Sequence, residues 1–518
     1  MPTYGPVAPR PRRTRRRDGQ RVLCLTAFIV ALAATGSAQL IPIRTVPLAQ
    51  GDQFLIFPSH TLGMGGVSIA LADSLLDPFR NPALGARVSS SRLFSSPAVY
   101  SISRESGAGR TLPLAILLRA GSWFSGVSVA IQEVETSRPF PEPPIIFLRG
   151  GPIAQDIPGQ GPAQQSRANT YAFASLGKVV TGSALSFGGS VLWSRLQVMD
   201  GVALLYPGSE RISQSGHGLD LRLGLLKEWA GNRSLEALVL HHRFGMTQDV
   251  VYIDQFWDPG TQQFVQVPRV EHSLDRATTW GMHLAYQRPL TVSGWRIGWL
   301  VTGNRLSQPR IPEEEILATP GNQGRSAAYN FGVGLSKSRG SGTFAIDAIY
   351  EPIWSTTCAV APAPVVTTRG ETIPAGGRTV ENRFRFSNAV LRLGVSRETA
   401  LADIEKAFGF QLGLAVRAVR YRLAQSDRVA VTEQRQRERW VEWTPTWGVS
   451  LRFPELEVSY RGRVTNGAGR PGTDLTFPIG QPIDLLPPGR ILVSPGGPLN
   501  LAGVATVTHQ ISLSLPLR

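Results

Sequence analysis

The residue types best suited to metal or nucleophilic chemistry are scarce: seven histidines and two cysteines in 518 residues. His241 and His242 are adjacent, and neighbouring side chains in a strand point to opposite faces, so the two cannot hold one metal ion together. His60, His217, His272, His283 and His509 are scattered and read as lumen or loop residues. Cys358 sits in a Pro/Ala stretch read as a loop, with no histidine nearby to activate its thiol. Cys24 lies inside an apolar run near the N-terminus. A nucleophile, a base and an orienting group at useful spacing are therefore missing from the sequence pattern. No catalytic residue, metal or cofactor is expected, and the chain is not read as an enzyme.

The charged residues that invite a role lie in alternating segments. In GLDLRLGLL, Leu219, Leu221, Leu223 and Leu225 take one face and Asp220 and Arg222 the other. His283, Asp347, Arg417 and Arg452 occupy equivalent polar-face positions elsewhere. Alternation of this kind marks strands with one apolar and one polar face. These segments run to about ten to fifteen residues, longer than the usual strand of a soluble sheet and long enough to cross a bilayer at a tilt. Strands are expected near 93–103, 111–119, 124–135, 169–180, 184–198, 217–229, 233–247, 276–289, 294–307, 326–338, 342–355, 383–397, 408–425, 440–453, 455–467 and 507–517. Short turns (AGSW, VTGS, AGNR, PLTVS, RGSG, PE) alternate with long Pro/Gly-rich connections near 136–168, 199–216, 248–275, 308–325, 356–382 and 468–506. ETALADIEKA, 398–407, is of middling length and reads as a helical turn, and QRQRERW near Arg435 reads as a solvated loop.

This pattern predicts an all-β fold, a transmembrane antiparallel up-and-down barrel of about 14–16 strands, since closure leaves no unpaired edge in lipid. The apolar faces then meet lipid, and Asp220, Arg222, His283, Arg417 and Arg452 face the lumen, where the arginines select anions or pair with Asp220, Asp347 or Glu442. Trp193, Trp229, Trp295, Trp299, Trp354, Trp440 and Trp443 lie near strand ends, as interfacial girdles require. No run of eighteen apolar residues follows the N-terminal region.

Three regions are expected. Residues 1–38 read as a cleaved secretory signal: a basic start, the apolar run Val22–Ala34 and then Gly36, Ser37 and Ala38. They hold seven Arg and one Asp, so their removal lowers the formal charge from +16 to +10. With Cys24 gone, Cys358 has no partner for an intrachain disulfide. Residues 39–90 are read as a segment inside the barrel, and 91–518 as the barrel itself.

The stretch LGMGGVSIALADSLLDPFRNPALGARV resembles the N-terminal signature of the FadL-like superfamily of outer-membrane barrels. Gly63, Met64, Gly65 and Gly66 match its glycine-rich part, Asp73 and Asp77 its acidic part, and Asn81, Pro82 and Ala83 its Asn-Pro-Ala part. The departures are Asp73-Ser74 for the usual acidic pair, NPALG for NPAG, and LPLR at the C-terminus without a terminal aromatic. The resemblance implies a lumenal hatch in which Gly63, Gly65, Gly66, Asp73, Asn81 and Pro82 carry the gating, or else a fixed plug. It implies passive outer-membrane transport of hydrophobic small molecules of the long-chain fatty acid or hydrocarbon type. The alternative is a PorV-like barrel that binds or anchors a protein partner in secretion. The apolar stretches PFPEPPIIFL and FPIGQPIDLLPPGRILV suit either a collecting surface or a docking surface. Expected partners are membrane lipid and lipopolysaccharide, an apolar small molecule or a protein, with no nucleic acid. The expected location is the outer membrane of a Gram-negative-type bacterium.

Overall fold

Alternation in the sequence becomes alternation in space. Along 220–226, Asp220, Gly224 and Leu226 are buried while Leu221, Leu223 and Leu225 are exposed. The same two-residue period runs round the whole wall. A computed structural model describes residues 56–57, 60–71, 79–104, 106–135, 166–200, 202, 209–258, 260–308, 323–361, 363–401, 406–471 and 501–517. The strands are β1 (Arg92–Ser95), β2 (Ala98–Ile102), β3 (Ala108–Ala120), β4 (Trp123–Glu135), β5 (Ser166–Val180), β6 (Leu185–Leu196), β7 (Arg211–Trp229), β8 (Arg233–Asp258), β9 (Gln263–Pro289), β10 (Trp295–Gln308), β11 (Gln323–Arg339), β12 (Gly342–Val360), β13 (Val365–Val366), β14 (Thr372–Ile373), β15 (Arg378–Leu401), β16 (Lys406–Asp427), β17 (Thr432–Arg452), β18 (Glu457–Pro471) and β19 (Leu501–Pro516).

Each wall strand pairs antiparallel with its sequence neighbours. β1 and β2 both pair with β19 on one side and β3 on the other, which closes the wall. Counted as one interrupted strand they complete a sixteen-stranded barrel, and β13 and β14 form a separate small hairpin. The interruption has a local cause. Ser96 and Pro97 fall between β1 and β2, with Pro113 in the facing stretch of β3. A proline brings no N–H to the ladder. Register is kept across the break, Ser95 opposite Leu513 and Ala98 opposite Gln510.

Closure is what makes the outer face tenable. Leu223 is 71% exposed and Ile131 and Trp280 each 59%, on a wall whose backbone groups are already paired. Such a surface suits hydrocarbon. Aromatics mark its two margins. Trp123, Trp229 and Trp295 stand at strand ends beside the short turns, and Trp193, Trp280 and Trp443 lie eight or nine residues further along their strands. With about 3.3 Å of rise per residue and a strand tilt near 40°, the two levels are about 20–25 Å apart, the height of an outer-membrane apolar band. Lys178, Lys337 and Lys227 lie 4.9, 5.1 and 6.0 Å from the rings of Trp123, Trp295 and Trp229 at the short-turn margin.

Several expectations are corrected. The connection expected at 248–275 is a ladder: β8 and β9 continue to Asp258 and from Gln263, paired throughout. QRQRERW is not a loop but part of β17, paired with β16. Glu398–Leu401 extends β15, and Lys406–Ala407 opens β16, so no helical turn occupies them. Cys358 lies in β12 between Gln323 and Glu381, not in a loop. Trp440 is not a girdle residue; it packs on the inner face beside Phe384 and Tyr421, and its Nε1–H donates to Glu442 at 3.1 Å.

An outward charge is expected to be costly only on this wall. Leu223→Arg should lose about 2–4 kcal/mol of folding free energy in lipid vesicles. Urea titration of the refolded barrel measures it, with Leu223→Ala as the comparison; equal losses for the two variants would mean that the row does not face hydrocarbon.

Candidate functional site

The described residues before β1 form no strand but two short 3-10 turns, Leu62–Met64 and Pro82–Arg87. Both lie against inward side chains of the wall. The first turn ends on Gly65, whose φ of +71° is left-handed, followed by Gly66 at +73°. A side chain at Gly65 would also stand 2.6 Å from the Leu393 carbonyl. Only glycine satisfies both the backbone and the space there.

Polar groups from distant strands hold this turn. The Gly65 N–H donates to Thr446 Oγ1 (2.8 Å), and the same hydroxyl donates to the Gly63 carbonyl (3.0 Å). Ser68 and Ile69 both donate their N–H to Asp347 Oδ2, at 2.7 and 3.2 Å. Arg392 donates to the Gly66 carbonyl at 3.1 Å and Ser336 to that of Ala70 at 3.0 Å. Away from strands and water, a segment with this much exposed backbone needs such partners.

The second turn is held in the same manner. Asn81 is its N-cap, accepting from the Ala83 N–H at 3.1 Å, and Pro82 takes the first position, where no N–H is missed. Arg222 reaches the Arg80 carbonyl at 2.9 Å while Asp220 fixes its guanidinium by two contacts, 2.7 and 3.1 Å. Arg119 donates to the Ala86 carbonyl at 2.9 Å, and Arg87 meets Glu228 at 3.2 Å and Glu236 at 3.8 Å.

Space for both turns comes from glycines on inward strand positions. A Cβ on Gly298 or Gly334 would run into Ile69, one on Gly394 or Gly413 into Met64 and Gly65, and one on Gly188 or Gly224 into Pro82 and Asn81. These six lie within seven residues of the short-turn ends of their strands, so the two turns are seated at one low level of the barrel.

Above and beside this seat the inner wall changes character. Phe57 stacks on Phe79 at 4.1 Å, and Phe173 stands 5.1 Å from Phe79. Across β12, β15 and β16, Ile353, Phe386, Val419, Tyr421 and Leu423 form one buried inward cluster. Between such patches the inner face is polar: Gln132, Asn169 and Tyr171 form one hydrogen-bonded group, and Arg417 meets Glu351 at 2.8 Å.

The residues singled out from sequence fall as follows. Gly63, Gly65 and Gly66 lie in the first turn or immediately after it, and Asn81 and Pro82 open the second. Asp73 lies outside the described residues. Asp220 and Arg222 act together on the second turn. His283 faces inward, with Nδ1 2.8 Å from Thr302 Oγ1, and touches neither turn among the described contacts. Arg417 pairs with Glu351 away from them. Arg452 sits half exposed at the short-turn rim, 2.6 Å from Glu398. His241 lies against Trp280, ring centres 4.2 Å apart and planes tilted by 39°, while His242 points inward, 3.8 Å from Asp220. Thr446, Arg392, Ser336 and Arg119 were missed; their only signal is a polar residue at inward parity. No three His, Cys, Asp or Glu side chains gather as a metal site among the described residues.

A closed barrel with an apolar outer band and a glycine-seated inner segment is of the outer-membrane type. No family model and no curated protein matches the sequence. Solved structures similar to it include the toluene transporter TbuX of Ralstonia pickettii, at 11% identity and TM-score 0.37, covering 90% of this chain and 100% of that one. A FadL homologue of Pseudomonas aeruginosa gives 12% identity and TM-score 0.37 over 93% and 99%. A bacterial polysaccharide outer-membrane secretin gives 5% and 0.38 over 83% and 98%.

Removing the shared acceptor is expected to free the first turn without opening the wall. Asp347→Ala leaves the Ser68 and Ile69 N–H groups unmatched, at about 1–3 kcal/mol each. Hydrogen exchange of amides 65–71 should accelerate by about tenfold or more, with ladder amides of β11 and β12 unchanged. Gly334→Val should act on the same amides by overpacking, at about 1–3 kcal/mol. Unchanged exchange in both variants would deny that these contacts hold the segment.

Proposed function

We propose that the chain is a FadL-like outer-membrane channel for apolar small molecules, exported by a signal at 1–38, with 39–90 acting as its hatch. One observation carries this reading: the barrel interior holds aromatic and aliphatic clusters, one where Phe79 of the inner segment meets Phe173 of the wall and one on the wall around Phe386 and Tyr421, where a water-filled pore would be polar. An apolar solute of the fatty acid or hydrocarbon class gains contact there and is offered few hydrogen bonds to satisfy.

The kind of bonds involved supports a hatch role. The inner turns are held by single hydrogen bonds and a few ion pairs, not by a ladder, and each is worth about 0.5–1.5 kcal/mol net, or somewhat more where charged. Such a set opens in steps, while the wall stays closed. The short turns face the periplasm and the long connections face outward, the usual sense for these barrels.

A second reading, a barrel that binds a protein partner, draws on the height of β8 and β9. Among the described residues Gln263–Ala277 pairs only with β8, because β10 meets β9 from Thr278 onward. An unpaired strand edge offers a template for strand addition.

A reversible lock separates a moving hatch from a fixed plug. Ala70→Cys and Ser336→Cys, in a Cys358→Ser background, place thiols on two neighbouring residues, the Ser336 hydroxyl now donating to the Ala70 backbone carbonyl. Uptake of labelled fatty acid into vesicles holding the purified barrel is expected to fall on oxidation and recover on reduction. Uptake that ignores the lock would leave a fixed plug; no uptake above an unrelated barrel would end the channel reading.

A further inference from the structure

The outer wall above the long-loop aromatic level carries arginines in ranks. Outward positions of β15, β16 and β17 hold Arg383 and Arg385, Arg420 and Arg422, and Arg435, Arg437 and Arg439, all exposed. Register places Arg385 opposite Arg422 and Arg422 opposite Arg437, three abreast on adjacent strands, with Arg420 opposite Arg439. Directly opposed residues have Cβ atoms about 4.5–5.5 Å apart, and like charges so placed repel. The described ion pairs at this patch are Arg383 with Glu381, 2.8 Å, and Arg435 with Glu433, 3.6 Å. Neither involves the central rank.

The patch is continuous with the lipid-facing wall. Arg385 lies over Trp354, 5.9 Å from its ring, in direct register with it. Below the ranks on the same strands, Leu391, Leu412, Val441 and Trp443 are exposed. An occupant must therefore be an amphiphile, with chains along that apolar surface and acid groups at the level of the guanidiniums. The cation chosen also matters. The four lysines, 178, 227, 337 and 406, all lie near short-turn strand ends, so the long-loop margin is left to arginine. Arginine presents a planar fork that matches phosphate oxygens two at a time.

We propose that the arginine ranks of β15–β17 bind the phosphate groups of an outer-leaflet phosphoglycolipid whose acyl chains lie against Leu391, Leu412 and Trp443. This rests on the outer-membrane reading and adds a ligand site to the outside of the wall. The bound phosphates bridge opposed guanidiniums and relieve a repulsion that the protein's own acids leave standing.

The test uses the full barrel in phosphatidylcholine vesicles carrying either bisphosphorylated lipid A or its dephosphorylated form, with retained lipid counted by native mass spectrometry. The protein is expected to retain the phosphorylated form at least about tenfold better, because basic residues near the surface attract anionic lipid. Arg385→Gln, Arg422→Gln and Arg437→Gln together should abolish that preference. Lys178→Gln, Lys227→Gln and Lys337→Gln together should keep it. Heat-shifted gel mobility verifies that each variant is folded, and removing the opposed charges should not weaken the fold in neutral detergent. Equal retention of both lipids, or a preference that survives the arginine changes, overturns the proposal while leaving membrane residence standing. Failure to enter either vesicle overturns both.

Discussion

The structure depends on the pairing of backbone N–H and C=O groups in a place where water cannot serve them. Lipid accepts leucine and tryptophan freely but leaves an unpaired amide at a cost of several kcal/mol. The ladder must therefore close on itself, and it does so through the smallest unit of the wall, the two short strands β1 and β2 between β3 and β19. Even there, where Pro97 and Pro113 remove donors, the register on either side is unchanged. The Ile511 N–H still finds the Pro97 carbonyl at 2.9 Å, and the Ser95 hydroxyl the Pro113 carbonyl at 2.6 Å.

Once the wall is self-sufficient, the interior has different obligations. The inner turns have no ladder, so the lumen supplies their partners singly: Asp347, Thr446, Arg392, Ser336, Arg222 and Arg119. The inward glycines allow backbone to approach backbone closely enough for the short side chains of Ser336, Asp347 and Thr446 to reach. Polar groups and missing side chains thus act together. Ser336 reaches the Ala70 carbonyl because Gly334, two residues away on the same face, yields its space to Ile69.

Much of the wall was legible in the sequence because lipid enforces a strict two-residue period where it touches the chain. The leucine row from 219 to 225 states its own orientation. Beyond the membrane that enforcement stops, and the pattern fades although the ladder continues. This is why β8 and β9 looked like a loop from 248 onward, and why QRQRERW, polar on both faces, did not read as strand. Trp440 sits near a strand end, where a girdle residue is expected, but parity puts it with Glu442 on the inner face. For the site, glycine and Asn-Pro-Ala motifs marked the inner turns, but their partners come from strands remote in sequence. Arg392 and Thr446 look like any other inward polar residue until the barrel is closed.

That remoteness has a consequence for assembly. The hydrogen bonds that tie residues 63–70 to the wall reach partners 266 to 383 positions further along the chain. The segment emerges first, yet its seat does not exist until the last third of the wall has been laid down. Contacts of such long sequence separation form late. Docking of the first turn is thus a late step of biogenesis, after the last staves of the cask are laid down, while the second turn finds Arg119 and Arg222 in staves set much earlier.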